Sequence, residues 1–433
     1  MKSLVFFQLN EVDFDFIIKN SKKFGNKFNL LKNTEKILTE TEDSKEGFNL
    51  DPWVQWVSIN SGIKSRFHKV YNLSQKLNRR HLQIWDKLSK NKINFSVWCS
   101  MNANLRSRKY VNFFLPDPWN FSQKSYPNHL EDFLALPKYF AQNYKSFSLL
   151  KIFFLSLRFL KSLIKLQVTT KFLKELPYFF FNIFKFKRPT LTFYLFLDLI
   201  LLEIITKYSN KNNREKFSII FINSIAHFQH NYWDDKSTYK LFFFYLNKMF
   251  IKLDEIKKKY DNFLIGNGLS QTKIKPIYIC KISDLEKFFI ENSVNFKAVE
   301  PNMTTGGTIF FKNIYDKKKC IIFLSKFSFH NQKIFFLKNF KKHNKLYFRF
   351  NAILNGDIQK LNYKNYKNLK IGKRSLKKEL IKDFNYLFRY ISFIKSTSVH
   401  DKKGILYHSK FIKNYKKIEN HEINNLICKY FNF

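Results

Sequence analysis

The chain has 433 residues, 45% hydrophobic and 25% charged, enough for two ordinary domains or one large core with insertions. Full disorder and a small disulfide scaffold are excluded. Its 77 Lys plus Arg against 33 Asp plus Glu give a formal net charge of +44, which ordinarily points to nucleic acid or an anionic membrane. Only 11 of those basic residues are Arg, Phe reaches 53, and the lysines run through the whole chain. A phosphate-gripping surface favours the bidentate Arg fork, so the charge reads as compositional background and no nucleic-acid partner is expected.

The chain opens MKSLVFFQLNEVDFDF, an apolar run of strand length over Leu4–Gln8 followed by helical spacing over Phe14–Phe24. It lacks the small-residue cleavage site of a leader, and a cytoplasmic location is expected. Asp51 before Pro52 is a helix-start pair, with a side-chain acceptor ahead of a preset φ; the helix runs through WVQWVSI to a stop at Gly62. Ile84–Ser100 repeats helix, polar turn and strand, the rhythm of a parallel sheet with crossover helices.

From Leu134 to Asn213 the chain turns to long aromatic and aliphatic stretches with a basic residue every few positions. Charged residues interrupt even the greasiest segment, Leu149–Tyr208, so no transmembrane segment is expected. Apolar residues on nearly all sides suit burial, and the insertion reads as a cap packed over the core with its lysine stems snorkelling. A peripheral membrane contact through the cap is the other reading.

The core resumes with a strand over Lys216–Asn223, a helix over Tyr239–Tyr260 and a strand over Asn262–Ile265. Between Thr308 and Ala352 the pattern is strand, helix, strand, turn, strand, a small α+β appendage. A last helix, Leu376–Tyr390, precedes a polar loop holding His400. Cys99, Cys280, Cys320 and Cys428 show no paired spacing and read as buried small hydrophobes. MTTGG, Met303–Gly307, offers backbone donors to a phosphate or, more simply, a turn.

An open α/β sheet places its ligands just past its strand ends. Polar residues gather there: Asn10 and Glu11 after the first strand, Asn223 with His227 and His230 after KFSIIFI, Asn267 to Gln271 after FLIG, and His400 in SVHDKKGIL, with Asp51 at a helix start. Each has a plainer reading: Asp51 and Glu11 as helix caps, the two histidines as hydrogen-bonded interior residues, Asn267–Gly268 as a turn. His68, in RFHKVYN, reads as a surface residue.

In order and spacing, LNEVDFD, DPWVQWVSINSG, NSIAHFQHNYW, GNGLSQ and VHDKKGIL resemble the alkaline phosphatase superfamily, in particular its type I phosphodiesterase and nucleotide pyrophosphatase branch. The resemblance implies a three-layer α/β sandwich with a mostly parallel central sheet. Its parts would be core segments 1–133, 214–275 and 356–433, a helical cap over 134–213 and an α+β appendage over 276–355. It implies divalent metal, zinc the preferred ion, with Asn223, His227 and His400 at one site. Asn10 or Glu11 with Asn267 stand at a weaker second site, where Gly268 replaces a ligand. Asp51 or Ser58 would supply catalytic chemistry and His230 a substrate contact. The implied function is metal-dependent hydrolysis or transfer at phosphoester, phosphodiester or sulfate-ester bonds of a small phosphorylated or sulfated substrate. Asn and Gly at ligand positions leave open a catalytically degenerate protein that binds a phosphorylated glycan, lipid or protein partner.

Overall fold

Leu4–Leu9 (β1) is buried along its whole length, which requires cover on both sheet faces. In the computed structural model, Val5, Phe7 and Leu9 join the largest apolar cluster, while Phe6 packs edge-on to Trp56 and Gln8 bonds Asn60 at 2.8 Å. The two-residue period of the strand thus separates two helical layers. The structure describes residues 2–24, 29–43, 50–142, 148–209, 215–301, 305–329, 332–340, 343–350, 353–355, 370–371, 374–375, 387 and 389–433.

β1 lies between Phe217–Ile222 (β5) and Asn262–Gly266 (β6), parallel to both. Phe95–Trp98 (β3) and Val111–Leu115 (β4) extend the parallel run beyond β5. On the other side, Lys403–His408 (β7) runs antiparallel to β6 and to Glu35–Glu40 (β2). Lys417–Glu419 (β8) closes the eight-stranded sheet. This is a mixed α/β fold with a large, mostly parallel sheet.

Phe14–Ser21 (α1) starts on the Asp13 carboxylate, which accepts from the Phe16 N–H. Pro52–Ser61 (α2) ends at Gly62, whose φ of 76° is left-handed. After two short helices, Ser65–His68 and Ile84–Lys90, come Leu130–Gln142 (α3), Leu149–Lys165 (α4), Thr169–Phe186 (α5) and Pro189–Tyr208 (α6). Past β5 come Ser224–Tyr232 (α7) and Tyr239–Lys257 (α8). α6 is long and apolar enough to cross a membrane, and most of it is buried. Its Leu195, Leu199 and Leu202 share the main cluster with Leu246 and Leu253 of α8.

The expectation of burial on nearly all sides needs correcting for α4 and α5. Each packs one stripe inward, through Phe159 and Leu163 in α4 and Phe172 in α5, and presents other large apolar side chains to solvent. His400 also differs: it lies on a strand, Ile391–Asp401, and not in a loop.

The chain forms two compact units, one of Met1–Ala141, Phe147–Lys273 and Ser398–Phe433, the other of Gln142–Ser146 and Ile274–Thr397. The second contains an antiparallel sheet ordered Phe335–Asn339, Lys345–Phe350, Gly306–Phe310, Ala298–Pro301. Phe288, Phe289, Leu324 and Phe348 build its core, joined by Leu387 and Tyr390. Gly306 and Gly307 pair with Arg349 and Phe348 within that sheet, so the glycines expected in a turn or phosphate loop are strand residues; Met303 lies outside the described residues. The helix expected over Leu376–Tyr390 also lies outside them, except Leu387, Arg389 and Tyr390. The four cysteines are free, three of them buried and Cys99 half-buried.

Candidate metal centre

Parallel pairing of β1 with β5 and β6 brings three strand ends side by side. The Asn10 N–H donates to the Ile222 carbonyl at 3.0 Å, and the Glu11 N–H to the Asn267 carbonyl at 3.0 Å. Glu11 turns out of β1 with φ 56°, a left-handed conformation that costs a non-glycine residue about 1–2 kcal/mol. Its carboxylate is buried.

Two imidazoles meet that carboxylate. His230 Nε2 on α7 lies 2.7 Å from Glu11 Oε2, and His400 Nε2 lies 3.2 Å from the same oxygen. One ligand atom from each of the three residues falls within 4.8 Å of the others. The far side of each ring is anchored. His400 Nδ1 sits 2.8 Å from the Leu50 carbonyl, which only accepts, so Nδ1 carries the proton. Ser398 Oγ gives its proton to Gln271 Oε1 at 2.7 Å, leaving its oxygen to accept from His230 Nδ1 at 3.3 Å.

Protonated Nδ1 atoms on fixed acceptors and Nε2 atoms turned to one carboxylate are the arrangement of metal-bound histidines. His400 Nε2 is buried and makes no aligned hydrogen bond. The remaining contacts orient the acid: Asn10 Nδ2 donates to Glu11 Oε1 at 3.1 Å, and Gln271 Nε2 donates to Oε2. Burial alone would raise the Glu11 pKa, but the nearby His400 and His230 charges hold it well below the usual value. Burial likewise opposes the charged form of His400, yet Glu11 lifts it to about 9.

Of the residues expected at the metal, Glu11 and His400 come together and His230 joins them. His227 stands one helical turn earlier on α7, its ring stacked on Tyr194 at 4.2 Å and its Nε2 3.3 Å from Asn223 Nδ2. Burial pushes its pKa down to about 4, so it is a neutral imidazole. Asn223 and Asn10 meet in a different way from that expected of ligands: Asn10 Nδ2 donates to Asn223 Oδ1 at 2.8 Å, and Trp56 Nε1 donates to Asn10 Oδ1 at 2.7 Å. Asn267 is committed to the sheet, giving Nδ2 to the Val12 carbonyl at 2.8 Å and accepting from the Ile405 N–H at 2.8 Å.

Asp51 lies at the edge of the triad, its Oδ1 3.8 Å from His400 Nδ1. Its backbone carbonyl accepts from Val54 and Gln55 and its side chain makes no capping bond, so capping does not account for the carboxylate. Ser58 faces elsewhere, 2.9 Å from His68 Nε2. His68 is buried, against the surface position expected. The Val70 N–H donates to His68 Nδ1 at 3.0 Å, so Nε2 carries the proton and donates to Ser58. That tautomer cannot take a proton from the serine.

Sequence reasoning missed Ser398 as the anchor of His230. Its signal was period two: Ser398 and His400 stand two apart on one strand and share a face. It also missed Asp117 and Asp198, which burial raises to about 7 and about 6. Both border a cavity of about 120 Å³ lined by Trp119, Phe133, Phe140, Phe193 and Leu197, with Asn223 and His227 also in its wall.

No protein-family model and no curated protein matches the sequence. Solved structures to which the chain is similar include human ectonucleotide pyrophosphatase/phosphodiesterase 5, at 9% identity and TM-score 0.45 over 100% of this chain and 95% of that one. Another is phosphonoacetate hydrolase from Sinorhizobium meliloti 1021 in complex with phosphonoformate, at 6% identity and TM-score 0.42 over 99% and 95%. A TAB5 alkaline phosphatase mutant with Mg bound is similar at 12% identity and TM-score 0.38 over 100% and 98%. All three are members of the alkaline phosphatase superfamily.

Proposed function

We propose that Glu11, His230 and His400 hold one divalent cation, zinc the best fit, and that the chain hydrolyses phosphoester, phosphodiester or related sulfate-ester bonds. The observation that carries this reading is the convergence of three ligand atoms within 4.8 Å, with each Nδ1 positioned against a fixed oxygen. One carboxylate and two imidazoles suit zinc and leave a coordination position for water or substrate. Such an ion, when bound, polarises a non-bridging ester oxygen and acidifies a bound water.

The chain's own groups supply the rest. Asn10 and Gln271 fix the Glu11 carboxylate, and Leu50 and Ser398 fix the rings. Asp51 offers a carboxylate beside His400 at the N-terminus of α2, where the helix dipole favours an anionic group. There it acts as acid/base or as nucleophile. The cavity beside Asn223 receives the organic portion of the ester; its volume suits a group about the size of one aromatic ring, and its aromatic walls favour an uncharged one.

One observation favours a second reading, a degenerate protein that binds a phosphorylated partner without turnover. Glu11 already has amide donors at both oxygens, and Asn10 is bonded to Asn223, so the carboxylate is satisfied within the chain. A panel of nitrophenyl phosphate, phosphodiester and sulfate esters separates the two. Hydrolysis that needs added divalent metal and falls at least about a hundredfold in Glu11→Gln supports the first. Binding of the phosphate esters by the wild type with no turnover at any metal concentration supports the second.

A further inference from the structure

α4 carries Leu149, Phe153, Leu157, Leu160 and Ile164 outward, spaced by four, four, three and four residues along its length. α5 repeats the stripe with Leu173, Phe180 and Phe184, and Phe181 stands beside it. These side chains are 39–82% exposed, though each helix already buries another stripe in the core. Scattered single apolar residues on a surface need no explanation; two continuous stripes do.

The charge around them is one-sided. Residues 148–188 hold nine Lys and Arg against one acid, Glu175, and Glu175 is paired with Lys248 at 2.5 Å. Lys151, Lys161, Lys165, Lys171 and Lys174 are exposed. The Lys185 ammonium lies over the Phe181 ring at 5.1 Å, a cation–π contact that holds positive charge beside the apolar stripe.

We infer that α4 and α5 form a surface that docks this protein onto an anionic lipid bilayer. Helices with outward Phe and Leu and flanking lysines lie in the plane of a headgroup layer, their apolar face entering the acyl boundary while the ammonium groups meet lipid phosphates. The charge selects this occupant over a second copy of the chain, since self-association would set like charges face to face. This inference is independent of the metal centre.

The test is co-sedimentation of the full chain with vesicles of phosphatidylcholine alone and with added phosphatidylserine. The expected result is binding to the phosphatidylserine vesicles that weakens as salt rises. Phe153→Ser with Phe181→Ser should lower that partition by about tenfold or more without moving the thermal midpoint, since both side chains are exposed. Lys161→Glu with Lys165→Glu should remove the preference for phosphatidylserine. Wild-type protein that stays with the supernatant overturns the inference, as does vesicle binding unchanged in both variants. So does a dimer in sedimentation equilibrium that the Phe variant dissolves while no vesicle binding occurs.

Discussion

His400 is held by opposing forces, burial against its charge and the Glu11 carboxylate for it, and the carboxylate wins with a pKa of about 9. In the metal-free protein this raised pKa contributes stability that is fully present below the ordinary value of 6.5 and is lost as pH rises through about 9. Glu11 works in the other direction: its lowered pKa contributes above the ordinary 4.5 and is lost as pH falls below it. Thermal melts against pH should therefore show an alkaline decline in the wild type that His400→Asn flattens. A cation requires neutral imidazole, so the stabilisation gained from added zinc should grow as pH rises. The Ser58 and His68 pair has a different part, since its tautomer suits structure alone. Ser58→Ala leaves the buried His68 Nε2–H without its acceptor and should cost about 1–3 kcal/mol in denaturant melts while turnover stays within about twofold.

At the scale of elements, strand ends were the most legible part of the sequence. Short apolar runs ending in Asn are hard to mistake, and β1, β5 and β6 appear where their runs predict. Which of the two histidines on α7 reaches Glu11 was not legible, because His227 and His230 share a helix face and only the packing of Tyr194 decides between them. β2, with the sequence EKILTE and an uneven burial pattern, was missed because lysine and glutamate at its exposed positions match the composition of the whole chain. The long strand Ser270–Ile282 was missed in the same way. The turn after β6 is tied to the site through one glycine. Gly268 has φ 73°, and an added Cβ would meet the Trp56 ring at 3.0 Å. Gly268→Ala should destabilise by about 2 kcal/mol and disturb the indole that holds Asn10, seen as a shift in tryptophan fluorescence alongside weaker metal binding.

Across the whole molecule, the reading of charge as background accounts for lysines spread along the chain, and the structure shows where that background gains a context. On α4 and α5 the lysines flank exposed Phe and Leu. The same abundance of apolar residues that made these helices look buried on all sides leaves each with two stripes and only one partner. A sequence pattern reports that a face is apolar; what covers the face is decided by tertiary packing. The metal centre has the opposite history. Its three ligands are far apart in the sequence, with 219 residues from Glu11 to His230 and His400 further on still, yet parallel pairing of neighbouring strands and one returning strand bring them to a single carboxylate oxygen.

The most direct test of the centre is metal stoichiometry by mass spectrometry after stripping and reloading with zinc, compared among the wild type, His227→Ala, His230→Ala and His400→Ala. The account predicts one equivalent in the wild type and in His227→Ala, and loss of the ion in the other two. Retention by His230→Ala together with loss from His227→Ala would contradict it.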